Sequence, residues 1–556
     1  MRGRLDWSLK KNSNAAPPEG PLVVVILDGI GVGRGDEGDA VARARTPILD
    51  GLRSRFPYRT LRAHGVAVGL PDDTNMGNSE VGHNAIGAGR IVDQGAKLVN
   101  IALETGSFFG GETWLRISRG CLSRCAPLHL IGLLSDGNVH SHISHLFSMI
   151  REAARAGIRE VYVHPLLDGR DVGGRTALLY VDPLESLLAE FDGVEGRRFR
   201  IASGGGRMVT TMDRYEADWS IVERGWNAHV HGRARSFRSA REAIETYRDE
   251  TPGLIDQFIP PFVIADERGA PVAPIRDGAG VVFFNFRGDR AIEISRAFED
   301  EAFPHFDRGA PPKVDYAGMM QYDGDYLIPK SFLVAPPKID RTLGEYMARN
   351  AVTQLACSET QKYGHVTYFW NGNRGGKFDE STETYIEIES DRIPFEQRPE
   401  MKAEEITNAV IAELRTGRHR FARVNYANGD MVGHSGVLEA TILAVEIVDR
   451  CLGRLLEAVA SMRGVAIVTA DHGNADQMYE IDEKGGFVID RDTGNPKPRT
   501  SHSLNPVPFH LFDPTGPERW RLRDDLPEAG LANIAATALQ ILGYEAPEGY
   551  ELGLLA

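Results

Sequence analysis

Seven short apolar runs, LVVVIL, PLHLIGLL, EVYVHPLL, VVFFNF, RFARVNYA, GVAIVTA and VPFHLF, are spread along the chain with helical patterns between them. Runs this short and largely apolar read as strand candidates, GVAIVTA as one buried on both faces, and strands alternating with helices imply parallel sheets covered by helices. The expected fold class is therefore α/β. Sheets of this kind bind ligands beyond the carboxyl ends of their strands. Most of the runs end at Asp, His, Arg or Asn, so those ends are where chemistry is expected. At 556 residues the chain exceeds what one ordinary hydrophobic core supports, and two domains are the expectation.

Two stretches, NYANGDMVGH and VTADHGNAD, carry Asp and His in pairs. Asp430 and His434 are four residues apart, so one helical turn places carboxylate and imidazole on the same side. Asp471 and His472 follow the run GVAIVTA. Each has a plainer reading: an Asp can cap a helix, and a lone His is more often a satisfied core or surface residue. Asp28 directly after LVVVIL, Ser79 in GNSEVGH and His502 in RTSHSLNPVPF turn single coincidences into a set. Carboxylates and imidazoles without Cys suit Mn, Zn, Co or Mg rather than a thiolate site. Two such ions near a Ser would lower its hydroxyl pKa and clamp a phosphoryl group for in-line displacement, which is phosphotransfer through a phosphoserine. Asp28 and Ser79 lie near the start and the other five near the end, so one domain must be split, with another inserted between its halves.

The strings LVVVILDGIGVG, GNSEVGHNAIGAGRIVDQG, LLSDGNVHSHISHL, LLDGRDVGGR, FFNFRGDRA, SETQKYGHVTYFWNGN, VNYANGDMVGH, VTADHGNAD and NPVPF occur in this order. In them the chain resembles the cofactor-independent (2,3-bisphosphoglycerate-independent) phosphoglycerate mutases of the alkaline phosphatase superfamily, in their longer subtype, over nearly everything after about residue 20. DHGNAD alone indicates only the superfamily; the ordered set is specific to the mutase. The resemblance implies interconversion of 3-phosphoglycerate and 2-phosphoglycerate through a phosphoserine, with two divalent metals and no bisphosphoglycerate. Manganese is the metal expected first, with Co, Zn and Mg as alternatives. The split metal-binding domain would comprise residues 1–93 and 336–556, and residues 94–335 would form the inserted substrate-binding domain. One metal would fall to Asp28, Asp471 and His472 beside Ser79, the other to Asp430, His434 and His502.

The middle of the chain carries Arg170 in LDGRD, Arg207 in GGGRM, Arg214 in MDRY, and Arg287 with Arg290 in FRGDR. Guanidinium forks match carboxylate and phosphate oxygens two at a time. Arg-rich loops also pair with local Asp, and Asp171, Asp213 and Asp289 lie beside these arginines; on the residues alone the two readings weigh about evenly. The resemblance makes the five arginines a substrate clamp, has His140 in VHSH contact substrate, and has Asp171 move the proton between the glycerate hydroxyls. The plainer reading of His140 is a helix start beside Ser141. Lys362 in ETQKYGH would reach the transferring phosphoryl group, where an ordinary Lys would lie at the surface.

A formal net charge of −15 without a long Lys/Arg block argues against a nucleic-acid partner or an anionic membrane surface. Cys121, Cys125, Cys357 and Cys451 are too few and scattered for a disulfide framework, which fits a cytoplasmic protein. The spacing of Cys121 and Cys125 suggests half a metal site, but the second half is missing and packing is preferred. No apolar run approaches the ~20 residues of a membrane span, and the polar first 20 residues read as a loose or surface-packed leader. The chain is expected to act as a monomer. GIGVGRG has the wrong spacing for a dinucleotide site, and GNSEVGHNAIGAG reads as a turn presenting Ser79. Two rivals are a metal-dependent phosphatase or phosphopentomutase of the same superfamily, and an idle binding protein that senses phosphorylated metabolites.

Overall fold

A computed structural model describes residues 7–12, 16–70, 73–214, 218–323, 327–335, 337, 339–482, 484–490, 494–516 and 519–556. The chain divides into two compact units, Met1–Gln94 with Lys338–Ala556, and Gly95–Pro337. Pro336 and Lys338, beside the boundary that the resemblance puts after residue 335, lie outside the described residues, as do residues 1–6 and 13–15 of the leader. The described part of the leader packs on the first unit: the Trp7 ring lies 5.2 Å from that of Tyr346, and the Leu9 amide donates to Asn350 Oδ1 at 3.0 Å.

In chain order the strands are β1 (Leu22–Leu27), β2 (Tyr58–Leu61), β3 (Leu128–Leu134), β4 (Glu160–Leu167), β5 (Arg198–Ile201), β6 (Ser203–Gly206), β7 (Arg235–Phe237), β8 (Phe262–Ile264), β9 (Gly280–Phe283), β10 (Asp315–Gly318), β11 (Gln354–Glu359), β12 (Glu383–Ile388), β13 (Phe421–Tyr426), β14 (Val465–Thr469) and β15 (Val507–Phe512). The first unit's sheet runs β12-β11-β13-β1-β14-β15-β2. Its centre is parallel, with Leu22 level with both Phe421 and Val465. All six residues of β1 are buried, as a strand covered by helices on both faces must be. The run VPFHLF forms β15, but it pairs antiparallel with β14 and β2, so the parallel pattern stops there; full burial alone does not carry strand direction.

The second unit's sheet runs β10-β9-β3-β4-β6-β8-β7, with β5 also paired to β4. The pairs among β10, β9, β3, β4 and β6 are parallel, while β6 and β8 are antiparallel. Each sheet lies in its own hydrophobic core. Among the described residues no helix is long and apolar enough to cross a membrane.

Candidate functional site

In the first unit four neighbouring parallel strands deliver polar residues from their carboxyl ends. β1 is followed by Asp28, β14 by Asp471 and His472, β13 by the helix Asn428–Gly433 with Asp430, and β11 by the helix Thr360–Gly364 with Lys362. The loop after β1 passes so close to Asp430 that a Cβ on Gly29, at φ 75°, would lie 2.6 Å from the Asp430 Cα; only glycine fits that backbone. The string around Ser79, expected as a turn, is instead the helix Ser79–Ala88 with Asn78 as its N-cap. Its small residues let it press on the strand ends: a Cβ on Gly82 would come within 2.6 Å of the Asp471 carbonyl oxygen. Ser79 thus occupies the first helical position, where orphan N–H groups and the helix dipole favour an anion.

The structure brings Asp28, Ser79, Lys362, Asp430, His434, Asp471, His472 and His502 together. Ser79 Oγ is 2.9 Å from His472 Nε2, 2.5 Å from Lys362 Nζ and 3.3 Å from Asp28 Oδ1. The Lys362 ammonium also donates to Asp28 Oδ1 at 2.9 Å and to Asp430 Oδ2 at 2.7 Å. Burial favours a neutral amine, but Asp28, Asp430 and Asp471 outweigh it and raise the Lys362 pKa. Burial likewise opposes charge on Asp430, which Lys362, His434 and His472 hold well below the usual carboxylate range. His472 is pushed up to about 9, its burial overcome by Asp471, Asp430 and Asp28.

Two ligand sets suit a cation: Asp430 with His434 and His502, and Asp28 with Asp430 and His472. In the first, His434 Nδ1 lies 2.6 Å from the Thr500 carbonyl and His502 Nδ1 2.8 Å from that of Gly77. Each carbonyl takes an N–H, so both Nε2 atoms turn lone pairs inward. They face each other at 3.0 Å and Asp430 Oδ1 at 3.1 and 3.2 Å. Three acceptors converging so closely repel unless a proton or metal lies among them, so the donors fit a hard or borderline divalent ion. Asp430 therefore serves both sets, whereas the sequence reading assigned it to one. Asp471 stands slightly apart, its Oδ2 3.8 Å from His472 Nε2 and 3.3 Å from His83 Nδ1.

Sequence reasoning passed over His83, Asn425 and Asn474. Asn425 Nδ2 is 2.8 Å from Asp28 Oδ2 and 3.2 Å from His83 Nε2, and Asn474 Nδ2 donates to Asp430 Oδ1 at 3.0 Å. His83 was findable: it lies four residues after Ser79 on the same helical face. The long polar segment before His502 folds back on itself through the bridges Tyr479 to Pro498 and Ile489 to Pro496, with residues 483 and 491–493 outside the described ones. It returns His502 to ring contact with His472 at 4.0 Å.

The second unit repeats the arrangement with cations. Its strand ends present His140 after β3, Asp168, Arg170 and Asp171 after β4, Arg207 and Arg214 after β6, and Arg287, Asp289 and Arg290 after β9. Residues 215–217, next to Arg214, lie outside the described ones. Arg207 is 1% exposed, and its Nη1 donates to Asp168 Oδ1 at 2.9 Å and, closer still, to Asp171 Oδ2. Arg287 Nε is 3.1 Å and His140 Nδ1 3.5 Å from Asp289 Oδ1, and Arg214 Nη1 is 3.6 Å from Asp289 Oδ2. His140 precedes the helix Ile143–Arg155, which His142 caps, so it is not a helix-start residue. Burial, then Arg207, Arg287, Arg290 and Arg170, push its pKa well down. Burial and then Arg214, Arg170 and Arg207 depress that of Arg290 against the pull of Asp289. Asp168, missed in the sequence, is raised by burial and by Asp171 despite Arg207. Five guanidiniums outnumber Asp168, Asp171, Asp213 and Asp289, so the cluster suits an anion.

The family model described as Metalloenzyme superfamily matches residues 20–546. A protein of Leptospira interrogans named a probable 2,3-bisphosphoglycerate-independent phosphoglycerate mutase is 54% identical over 537 residues, covering 96% of this chain and 97% of its own. The 2,3-bisphosphoglycerate-independent phosphoglycerate mutase of Trypanosoma brucei brucei is 53% identical over 97% of this chain and 98% of its own. A crystal structure of the Leishmania mexicana phosphoglycerate mutase at low cobalt concentration is 51% identical, with a TM-score of 0.95 and 99% of both chains covered. The chain belongs to the metalloenzyme superfamily and, within it, to the 2,3-bisphosphoglycerate-independent phosphoglycerate mutases.

Proposed function

We propose that this phosphoglycerate mutase moves its phosphoryl group through Ser79. The observation that carries the reading is the surroundings of one hydroxyl: Ser79 Oγ lies 2.5 Å from the Lys362 ammonium and 2.9 Å from His472 Nε2, at a helix N-terminus and 2% exposed. A serine hydroxyl is a weak nucleophile until nearby positive charge or a base favours its oxyanion. Asp430, His434 and His502 would hold one divalent ion, and Asp28 and His472 beside Ser79 a second, with Asp430 shared between the two sets and Asp471 alongside to complete the second. When bound, these ions supply Lewis-acid charge that lowers the hydroxyl pKa and neutralises phosphoryl oxygens. Manganese is the first candidate, with Co, Zn and Mg as alternatives, since oxygen and imidazole donors suit all four; the L. mexicana relative was studied with cobalt.

Arg170, Arg207, Arg214, Arg287 and Arg290 hold the carboxylate and phosphate of phosphoglycerate, and neutral His140 adds a hydrogen bond without adding charge. Ser79 Oγ forms its bond to phosphorus as the bond from phosphorus to the glycerate oxygen breaks, and Lys362 stays on the oxygens in transfer. Glycerate remains bound. Asp171 carries the proton from the hydroxyl about to attack to the one just released, and the phosphoryl group returns from Ser79 to the other oxygen. The donor phosphate comes from the substrate itself, so no bisphosphoglycerate enters. We place the enzyme in the cytoplasm without nucleic-acid or membrane partners, a reading supported by four free cysteines and a net charge of −15.

Turnover of 3-phosphoglycerate in bisphosphoglycerate-free buffer tests the reading. Wild type is expected to be active, to stop on chelation and to recover with Mn or Co, while Ser79→Ala stays inactive throughout. A Ser79→Ala enzyme with wild-type turnover would contradict it. Release of phosphate without isomerisation would favour the phosphatase alternative.

A further inference from the structure

In the second unit a line of buried polar groups runs beneath the loop that carries Arg207 and Arg214. His129 Nδ1 and His164 Nε2 are 2.9 Å apart, His164 Nδ1 and Ser203 Oγ 2.6 Å, Ser203 Oγ and His229 Nδ1 2.7 Å, and His229 Nε2 and Thr211 Oγ1 2.9 Å. All five side chains are at most 1% exposed. A neutral imidazole offers one N–H and one lone pair, so the line must run one way. His129 Nε2 is buried and has no hydrogen-bond partner among the described residues, and a bare lone pair there costs less than an orphaned N–H. Each group then donates to the next, and the line ends with His229 Nε2–H donating to Thr211 Oγ1. Burial keeps the rings neutral, with His129 and His229 held near 3 and His164 well below its usual value.

Polar groups are costly in a core unless they are hydrogen-bonded, and these satisfy one another in series. This line ends at Thr211, whose φ of 69° is a left-handed conformation that β-branched residues rarely adopt. Three contacts impose it, from residues four apart on one face of the helix Trp219–His229. His229 donates as above. The Thr211 amide donates to the Ile221 carbonyl at 2.8 Å. Gly225 lets the hydroxyl pack against the helix, for a Cβ there would lie 2.0 Å from Thr211 Oγ1. The turn made at Thr211 presents the Met212 carbonyl to Arg290 Nη1 at 2.7 Å, and Arg214 follows two residues later. Strain held by surrounding structure clusters where geometry is used.

We propose that Thr211 is a positioning residue for substrate binding: locked by His229 and Gly225, it sets Arg290 through the Met212 carbonyl and aims Arg214, while His129, His164 and Ser203 fix the His229 ring. This rests on the reading of the arginines as the phosphoglycerate clamp. The test is steady-state kinetics with 3-phosphoglycerate, together with thermal denaturation. Thr211→Gly removes the hydroxyl and accepts the left-handed backbone without strain. It also leaves the buried His229 Nε2–H without its acceptor, so Tm is expected to fall, while KM rises about tenfold with kcat within about twofold. Thr211→Ser, which keeps the hydroxyl oxygen, is expected to hold KM within about twofold of wild type. A Thr211→Gly enzyme with wild-type KM, alongside an Arg290→Ala enzyme with raised KM, overturns the inference and leaves the clamp standing. If Arg290→Ala also leaves KM unchanged, the clamp falls, and this inference with it.

Discussion

Glu359 ends β11 with its carboxyl 1% exposed. Its partners are Ser390 Oγ at 2.8 Å and the Lys402 amide at 3.4 Å, and burial pushes its pKa up to about 7 from 4.5. In the unfolded chain the group ionises near its ordinary value, so the folded state binds the extra proton between these two pH values. Stability is then fully present below about pH 4.5 and is lost as pH rises through about 7, by on the order of 3 kcal/mol in all. Glu359→Gln keeps an acceptor for the Lys402 amide, turns its NH2 to donate to Ser390 Oγ where the carboxylate accepted from it, and removes the titration. Urea midpoints measured from pH 5 to 8 are expected to show wild type falling relative to Glu359→Gln across that range; parallel curves would show that the buried carboxyl does not titrate there. Nothing in ETQKYGH or QLACSE announces this group, because its burial is set by β12 and the segment leading into Lys402, far along the chain.

The helix Ser79–Ala88 is the element on which Ser79, the proposed nucleophile, depends, and its fit is set by what it lacks. At Gly82 a Cβ would meet the Asp471 carbonyl oxygen at 2.6 Å and the Asp471 Cβ at 2.9 Å, and neither backbone can yield like a flexible side chain. Gly82→Ala is expected to cost about 1–3 kcal/mol by overpacking and, by shifting Ser79 against His472, to cut kcat at least about tenfold. Chemical denaturation and turnover of the same variant check both; unchanged kcat would show that helix and strand end can part without consequence. Strands such as LVVVIL and GVAIVTA were legible because a strand buried on both faces is a bare apolar run. β11 was not, since Gln354, Ser358 and Glu359 are buried polar residues satisfied by distant partners, as when Gln354 Oε1 accepts from Arg423 Nη1 at 2.9 Å. β12 was not either, for most of its residues are only half-buried. Asp28, Asp471 and His472, three of the proposed ligands, were legible as candidates because they come within three residues of the ends of β1 and β14. The groups that hold the ligands, His83, Asn425 and Asn474, look like any buried polar residue until the strands are paired.

Over the whole molecule, each unit gathers a different chemistry at the carboxyl ends of its parallel strands. The unit made of the chain's two ends collects carboxylates, imidazoles, Lys362 and Ser79, and the middle unit collects the arginines. In a chain of net charge −15, this gives the middle unit a local group of five arginines that the proposed function uses to hold an anionic substrate. The account turns on the phosphoryl group resting on the protein between its two positions on glycerate. The most direct measurement is rapid acid quench of metal-loaded enzyme turning over 3-phosphoglycerate with a radiolabelled phosphoryl group, followed by peptide mapping. Label is expected on the peptide containing Ser79, and none on the same peptide from Ser79→Ala. Isomerisation proceeding while that peptide remains unlabelled at every quench time would contradict the account.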